Sequence, residues 1–421
     1  MGRVLGWLAV GLLFFLSLWI VLPAPNFFWL QLAVGAPEVS PLLFLLSAIA
    51  LLLFLALYRL GLYPSPNPYL LLLLLAALGL SSLPLLQQPQ AVSQARQSLA
   101  AAFESPMPSS ALSIKPVINS STFDRSAFSW RTFFVGEPRQ VVRHRPKLRF
   151  ASPDGVPLFL DIYQPETSAP SEASSGDRYP AVVMIYGGGW RTGSSSENAA
   201  FGRFLARRGY VAVSIDYRHT PTYRFPAQLE DVKTALSFVR SHAEAYEIDR
   251  HRISLMGWSA GAHLAMLAGF QSDAPIRSIV NYYGPVDLKR GYEEPPTPDP
   301  LDVRQVLLAF LGGPPSQYPE AYAAASPITY VKAAPVRSLP PVLLIYGGRD
   351  HIVEARFGED LYRQLLKSEN KAVWVKIPWA EHAFDALFNG VSNQLALHFV
   401  EPFLAETLGE GHPKTSSLSP L

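Results

Sequence analysis

Ile253-Ser254-Leu255-Met256-Gly257-Trp258-Ser259-Ala260-Gly261-Ala262-His263-Leu264 is the stretch on which the reading of this chain turns. An apolar run rich in strand formers breaks off in Gly-x-Ser-x-Gly, and the helix-forming run Ala-His-Leu-Ala-Met-Leu-Ala follows. Strand, sharp turn and helix, in that order, form the context in which this five-residue pattern presents a nucleophilic serine. The turn forces Ser259 into a strained backbone conformation, and Gly257 and Gly261 let strand and helix approach closely. Ser259 then stands at the N-terminus of a helix whose first N–H groups can face an anion. A structural serine in a glycine-rich turn is the competing reading, so the partners decide.

A serine hydroxyl attacks poorly until a base takes its proton and a third group orients that base. After a strand-turn-helix nucleophile the acid is expected next, and the histidine last. Pro341 to Ile345 reads as a buried strand opening through Tyr346-Gly347-Gly348-Arg349 to Asp350. Ala372 to Pro378 reads as another strand, followed by Trp379-Ala380-Glu381-His382. Asp350 and His382 thus fall just past strand ends, on the edge of the sheet where ligands gather in open α/β folds. Asp287, after Tyr283-Gly284-Pro285-Val286, is the rival acid, and Asp385 lies close to the histidine. Upstream, the strand Tyr179 to Ile185 runs into Tyr186-Gly187-Gly188-Gly189-Trp190. Glycines let backbone donors come close to a substrate, so the N–H groups of Gly188, Gly189 and Ala260 are the expected oxyanion donors. Neither the Lys-Ser/Thr of a phosphate loop nor a dinucleotide fingerprint is present.

From about Leu148 to Leu404 the chain resembles the α/β-hydrolase fold, in particular the esterases akin to hormone-sensitive lipase and their bacterial carboxylesterase relatives. The resemblance rests on Tyr186 to Trp190, Ser214-Ile215-Asp216-Tyr217-Arg218, Phe225 to Val232, Gly257 to Gly261, Gly348-Arg349-Asp350 and Glu381-His382-Ala383-Phe384. It implies Ser259 as nucleophile, His382 as base, Asp350 as its orienter, and Gly188, Gly189 and Ala260 as oxyanion donors, with no cofactor or metal. Two positions depart from the family pattern. Its oxyanion loop usually begins with His where this chain has Tyr186, and its residue before the nucleophile is usually small or acidic where this chain has Trp258. Prolyl-oligopeptidase relatives carry Tyr-Gly-Gly and Gly-Trp-Ser-x-Gly at these places, which gives Tyr186 two readings, an oxyanion donor or a packing ring. Trp258 and Trp190 are expected at the pocket.

Charged residues make up 16% of the chain, below the roughly 25% usual in soluble domains, and the apolar excess lies at the N-terminus. Val4–Leu22, Leu42–Tyr58 and Tyr69–Leu86 are uncharged apolar runs of about the length a bilayer requires. Arg3 precedes the first and Arg59 divides the second from the third, whereas Pro23 to Ser40, read as a loop, has no Lys or Arg. The positive-inside rule puts those arginines in the cytoplasm, and three spans then carry the hydrolase to the non-cytoplasmic side. The expected organisation is a transmembrane helical region over residues 1–88, a linker and lead-in over 89–147, a catalytic domain over 148–404 with a cap at about 286–331, and a flexible tail over 405–421. Gln87 to Pro116, rich in Gln, Ser, Ala and Pro, reads as a tether. The fold class is therefore a mostly parallel, doubly wound α/β-hydrolase sheet with a cap insertion, preceded by a small all-α membrane region.

A net charge of +2 gives no reason to invoke nucleic acid, and without cysteine there is neither a disulfide nor a Cys metal site. The basic run Arg139 to Arg149 reads as a solvated edge strand or a contact with anionic headgroups. Three functions remain: a membrane-anchored esterase acting on small-molecule or lipid esters, a serine peptidase or amidase, and a noncatalytic binding module.

Overall fold

The computed structural model describes residues 2–61, 67–103, 126–137, 141–166 and 178–409. Its first described segment is helical: α1 (Gly2–Leu18), α2 (Phe27–Glu38), α3 (Ser40–Arg59) and α4 (Pro68–Phe103). The helix formed by the first apolar run ends at Leu18 and does not continue to Leu22. The chain turns over Trp19 to Leu22, ahead of Pro23 and Pro25, which cannot supply helix N–H donors. Nor is the next segment a loop. Asn26 accepts from the N–H groups of Phe28 (3.1 Å) and Trp29 (3.4 Å), a side-chain cap that starts α2.

Among the described residues, α3 and α4 are the two helices long and apolar enough to cross a membrane, and α1 is shorter. Only 28% of each candidate span is buried, whereas a core helix would be mostly buried. Leu45, Ile49, Leu52 and Leu53 of α3 are exposed, as are Leu72 and Leu75 of α4 and Leu8 and Leu12 of α1.

α4 also runs past the expected boundary at residue 88. It takes up the polar stretch read as a tether as far as Phe103, with Pro84 and Pro89 inside it. Ala91, Ala95 and Leu99, at helical spacing, are buried in the main core. Ser98 Oγ accepts from the N–H of Trp374 (2.8 Å) and meets the Tyr362 hydroxyl (3.2 Å). Packing of this small-residue face works against the cost of the two prolines, about 3 kcal/mol each. The rest of the tether, from residue 104, lies outside the described residues. A short helix, α5 (Trp130–Val135), capped by Ser129, precedes the sheet.

The sheet has eight strands in the order β1-β2-β4-β3-β5-β6-β7-β8. They are β1 (Val142–Ala151), β2 (Leu158–Pro165), β3 (Tyr179–Ile185), β4 (Val211–Ile215), β5 (Ile248–Trp258), β6 (Ser278–Tyr282), β7 (Val342–Gly347) and β8 (Ala372–Ile377). β1 and β2 pair antiparallel and β2 lies antiparallel to β4; every pairing from β4 across to β8 is parallel. β4, β6 and β7 are buried along their whole length. Helices on both faces require this, and it is why β7 reads as an unbroken apolar run and why the polar Ser214, Ser278 and Asn281 of β4 and β6 are buried as well. From Val142 the basic run forms the edge strand β1, where Arg143 pairs with Glu247 at 2.6 Å, and Arg139 lies outside the described residues.

Crossover helices α6 (Ala199–Arg207), α7 (Ala227–Ser241) and α8 (Ala260–Phe270) follow β3, β4 and β5. Between β6 and β7 the proline-loaded stretch folds into α9 (Leu288–Glu293), α10 (Val303–Leu311), α11 (Pro319–Ala324) and α12 (Pro327–Ala333). α13 (Ala355–Lys367) and α14 (Val391–Leu408) complete the layers. α14 holds Thr407 and Leu408 buried, so the helix occupies residues 405–408, where a tail was expected; residues 410–421 lie outside the described ones.

Candidate active site

β5 ends at Trp258 and α8 starts at Ala260, so the whole reversal falls on Ser259, whose φ of 50° and ψ of −120° are strained for any residue with a side chain. Its neighbours have no room to be larger. A Cβ on Gly261 would meet the Ile185 carbonyl oxygen at 2.0 Å, and one on Gly257 the Gly261 backbone at 2.5 Å. Ser259 N–H donates to Tyr282 O at 2.9 Å, fixing the turn to β6.

The three residues expected to work together do meet. The Ser259 hydroxyl donates to His382 Nε2 at 2.9 Å, and His382 Nδ1 donates to Asp350 Oδ2 at 2.8 Å. Asp350 Oδ1 accepts from the N–H groups of Ile352 (2.8 Å) and Val353 (2.7 Å). The rival acids are engaged elsewhere. Asp287 caps α9 through the N–H of Arg290 at 3.1 Å, and Asp385 takes the hydroxyl of Tyr283.

Burial alone would push the His382 pKa down, but the charge and hydrogen bond of Asp350, with Glu381 and Asp385 behind them, outweigh it and hold it above the ordinary histidine value. Burial also raises the Asp385 carboxyl to about 6, although the Tyr283 hydroxyl pulls it the other way.

Glu381 had no role in the sequence reading. Its Oε1 accepts from the N–H groups of His351 (2.6 Å) and His382 (3.0 Å), and its Oε2 meets His351 Nδ1 at 2.6 Å. One buried carboxylate thus ties the loop after β7, which carries Asp350, to the loop after β8, which carries His382. Its signal was adjacency to His382, which no periodicity distinguishes from an ordinary loop residue.

Gly188 (φ 108°) and Gly189 (φ 58°) line the cavity beside Ser259, as does Ala260. A Cβ on Gly188 would lie 2.3 Å from Thr192 O. As the first residue of α8, Ala260 has an N–H with no intrahelical acceptor. Trp190 stacks on Phe310 of α10 at 4.0 Å and meets His263 edge-on at 5.1 Å, which holds the glycine loop under that helix. Trp258 lines the same cavity and packs against Phe201 at 4.6 Å.

Tyr186 is buried in a stack with Tyr217 at 4.5 Å. Its hydroxyl reaches His219 Nε2 at 2.9 Å, and burial drives its pKa far above the usual phenol range.

The cavity measures about 790 Å³. Val303, Val306 and Leu307 wall it from α10, and Leu288 from α9. Phe27 and Leu30 of α2 wall it from the N-terminal region, which no local pattern announced.

Other contacts grip the same loops. Arg349 donates to the Val21 carbonyl, and Ile352 packs against a cluster that includes Trp19, Leu30 and Leu43. Glu38 accepts from the N–H of Ser392 (2.9 Å) in the first turn of α14, while Ser392 Oγ accepts from the Trp379 indole (2.8 Å) in the histidine loop.

A family model described as BD-FAE matches residues 160–365. LipM of Mycobacterium tuberculosis, described as a probable carboxylic ester hydrolase, is 33% identical over 250 residues, 55% of this chain and 56% of that protein. Esterase LipC of the same organism is 31% identical over 53% of this chain and 58% of its own length. The chain therefore spans a little over half of each of these relatives. A thermophilic esterase from Thermogutta terrifontis, Est2, superposes with a TM-score of 0.52 at 26% identity, over 64% of this chain and 94% of that one. The sheet and its helices have the α/β-hydrolase fold.

Proposed function

We propose that the chain is a membrane-anchored serine hydrolase that cleaves carboxylic esters through an acyl-enzyme. Ser259 Oγ attacks the ester carbonyl while His382 Nε2 takes the hydroxyl proton. Charge then builds on the carbonyl oxygen, which the N–H groups of Gly188, Gly189 and Ala260 stabilise. The imidazolium returns its proton to the departing alkoxide, which leaves as the alcohol, and the acyl group stays on Ser259. A water deprotonated by His382 attacks that acyl group, the carboxylic acid leaves, and Ser259 regains its proton. Asp350 remains ionised and keeps the histidine in the productive tautomer.

The observation that carries this reading is the hydrogen-bonded run from Ser259 through His382 to Asp350, at 2.9 and 2.8 Å, inside an apolar cavity beside a three-glycine loop. The relatives described as esterases support the ester class. The peptidase reading drew on the Tyr186 phenol as an oxyanion donor, and that hydroxyl is occupied by His219. A fluorophosphonate should label Ser259, Ser259→Ala should lose both label and turnover of a chromogenic ester, and matched ester and amide panels should favour the esters. Adducts only at another residue, or amides hydrolysed faster than esters, would overturn it.

Anchoring is supported by the exposed leucines of α3 and α4. Arg59 closes α3 at the end opposite the junction where Glu38 meets α14, and Arg3 lies in the first turn of α1. Basic residues at the end of the bundle away from the hydrolase fit a non-cytoplasmic catalytic domain. Protease added to spheroplasts should cut that domain, and protection until lysis would reverse the orientation.

A further inference from the structure

Three features on the α2 side of the cavity are not used by the hydrolytic chemistry. First, Phe27 and Leu30, one turn apart on α2, share the cavity with Ser259 and His382. Second, the first turn of α2 is left bare, with Phe27 59% and Phe28 75% exposed. Beside it Trp19 and Trp29 stack at 5.0 Å with Phe15 edge-on to both, an aromatic group at the end of the helical bundle nearest the hydrolase. Rings of this kind sit at the headgroup level of a bilayer. Third, the bare apolar rim continues onto the hydrolase. α2 packs against the turn Phe384–Ala386, which leads into the exposed Leu387. Next to it α5 is tied to α14 by Ser129 N–H and Gln394 at 2.8 Å, with Trp130 stacked on an exposed Phe134. Exposed apolar surface of this extent, running from α2 at the cavity onto the neighbouring face of the hydrolase, is costly in water and favourable against lipid.

The geometry points to α2 as an interfacial wall of the active site, along which a bilayer-resident ester with a long acyl chain passes sideways from the membrane to Ser259. The chain of the ester lies on Phe27 and Leu30, and its carbonyl reaches the glycine loop without the molecule crossing water. This inference rests on the reading of the protein as a membrane-anchored ester hydrolase.

The test uses the full chain in phosphatidylcholine vesicles with two probes, para-nitrophenyl acetate added from water and para-nitrophenyl palmitate dissolved in the bilayer. The quantity read is the ratio of kcat/KM for palmitate over acetate. Phe27→Asp should lower that ratio by about tenfold or more, since it puts a charge where an alkyl chain is bound. The pair Phe27→Ala with Leu30→Ala should lower it in the same sense, and thermal unfolding together with fluorophosphonate labelling checks that both variants fold. An unchanged ratio in folded variants overturns the inference, as does wild-type enzyme that cleaves the acetate and leaves the bilayer palmitate intact. Wild-type enzyme that cleaves neither ester overturns the ester reading itself, and the inference falls with it.

Discussion

Glu38 is a carboxylic acid fully buried between the helical region and the hydrolase, and replacing it with Gln should change stability in a pH-dependent way. Burial raises its pKa from 4.5 to about 8, against the opposing pull of its hydrogen bonds to Ser392. Desolvation therefore outweighs a position at a helix N-terminus that would otherwise favour the charge. At about 1.4 kcal/mol per unit, a rise of that size corresponds to about 5 kcal/mol, an upper bound on what charging the group costs the fold. The folded state holds the proton more tightly than the unfolded one. Its stabilising contribution is thus complete below about 4.5, declines as pH rises, and is gone once pH passes about 8. Glu38→Gln keeps the shape and an acceptor for Ser392 N–H but cannot ionise. The variant should match wild type within about 1 kcal/mol near pH 5 and unfold at a higher temperature near pH 9. Thermal unfolding of the full chain in detergent across that range reads the difference directly. A difference that stays flat with pH, or grows in wild type's favour on the alkaline side, refutes the reasoning. Because Ser392 also holds Trp379 in the histidine loop, turnover should follow stability in the same series.

Tyr186→Phe should lower kcat by less than about tenfold, because the hydroxyl engages His219 and the ring is what packs; a deeper loss at unchanged thermal stability would return the hydroxyl to the oxyanion. His382 must be neutral to accept the Ser259 proton, so kcat/KM should fall on the acid side with a midpoint above the ordinary histidine value. Asp385→Asn removes one of the carboxylates that raise it, and the midpoint measured in a pH–rate profile should move to lower pH; a static or higher midpoint contradicts the electrostatic account. Asp350→Asn should cut kcat by about 10⁴, by analogy with the corresponding substitution in a serine protease, measured with a chromogenic ester. A near-normal rate in that variant would move the orienting role to another acid.

The strands were legible because burial on both faces leaves nothing but apolar residues in runs such as Ala181–Ile185 and Val342–Ile345. Ser259, Asp350 and His382 were legible because each must sit past a strand end, and chain order then limits the choice. α2 was hidden by two flanking prolines and by its shortness, although Asn26 was a capping signal in plain view. The second half of α4 was hidden because its buried face is made of Ala91 and Ala95, which carry little hydrophobic signal beside Gln and Ser. The α2 wall of the cavity and the bridge made by Glu381 join segments far apart in sequence, and local pattern carries no information on such contacts.

α4 runs without a break from the apolar bundle into the edge of the sheet beside β8, and this gives the molecule a mechanical property. A flexible linker would let the hydrolase wander, but a continuous helix acts as a strut that sets height and heading together. Each residue added to a helix advances it by about 1.5 Å and turns it by about 100°. One residue inserted between Leu86 and Ala91 would barely raise the hydrolase, yet it would swing the cavity mouth by more than a quarter of a turn, away from α2. Four residues, close to a whole turn, would nearly restore the heading and lift the domain by about 6 Å. The catalytic domain is therefore indexed to the bundle by angle more tightly than by distance.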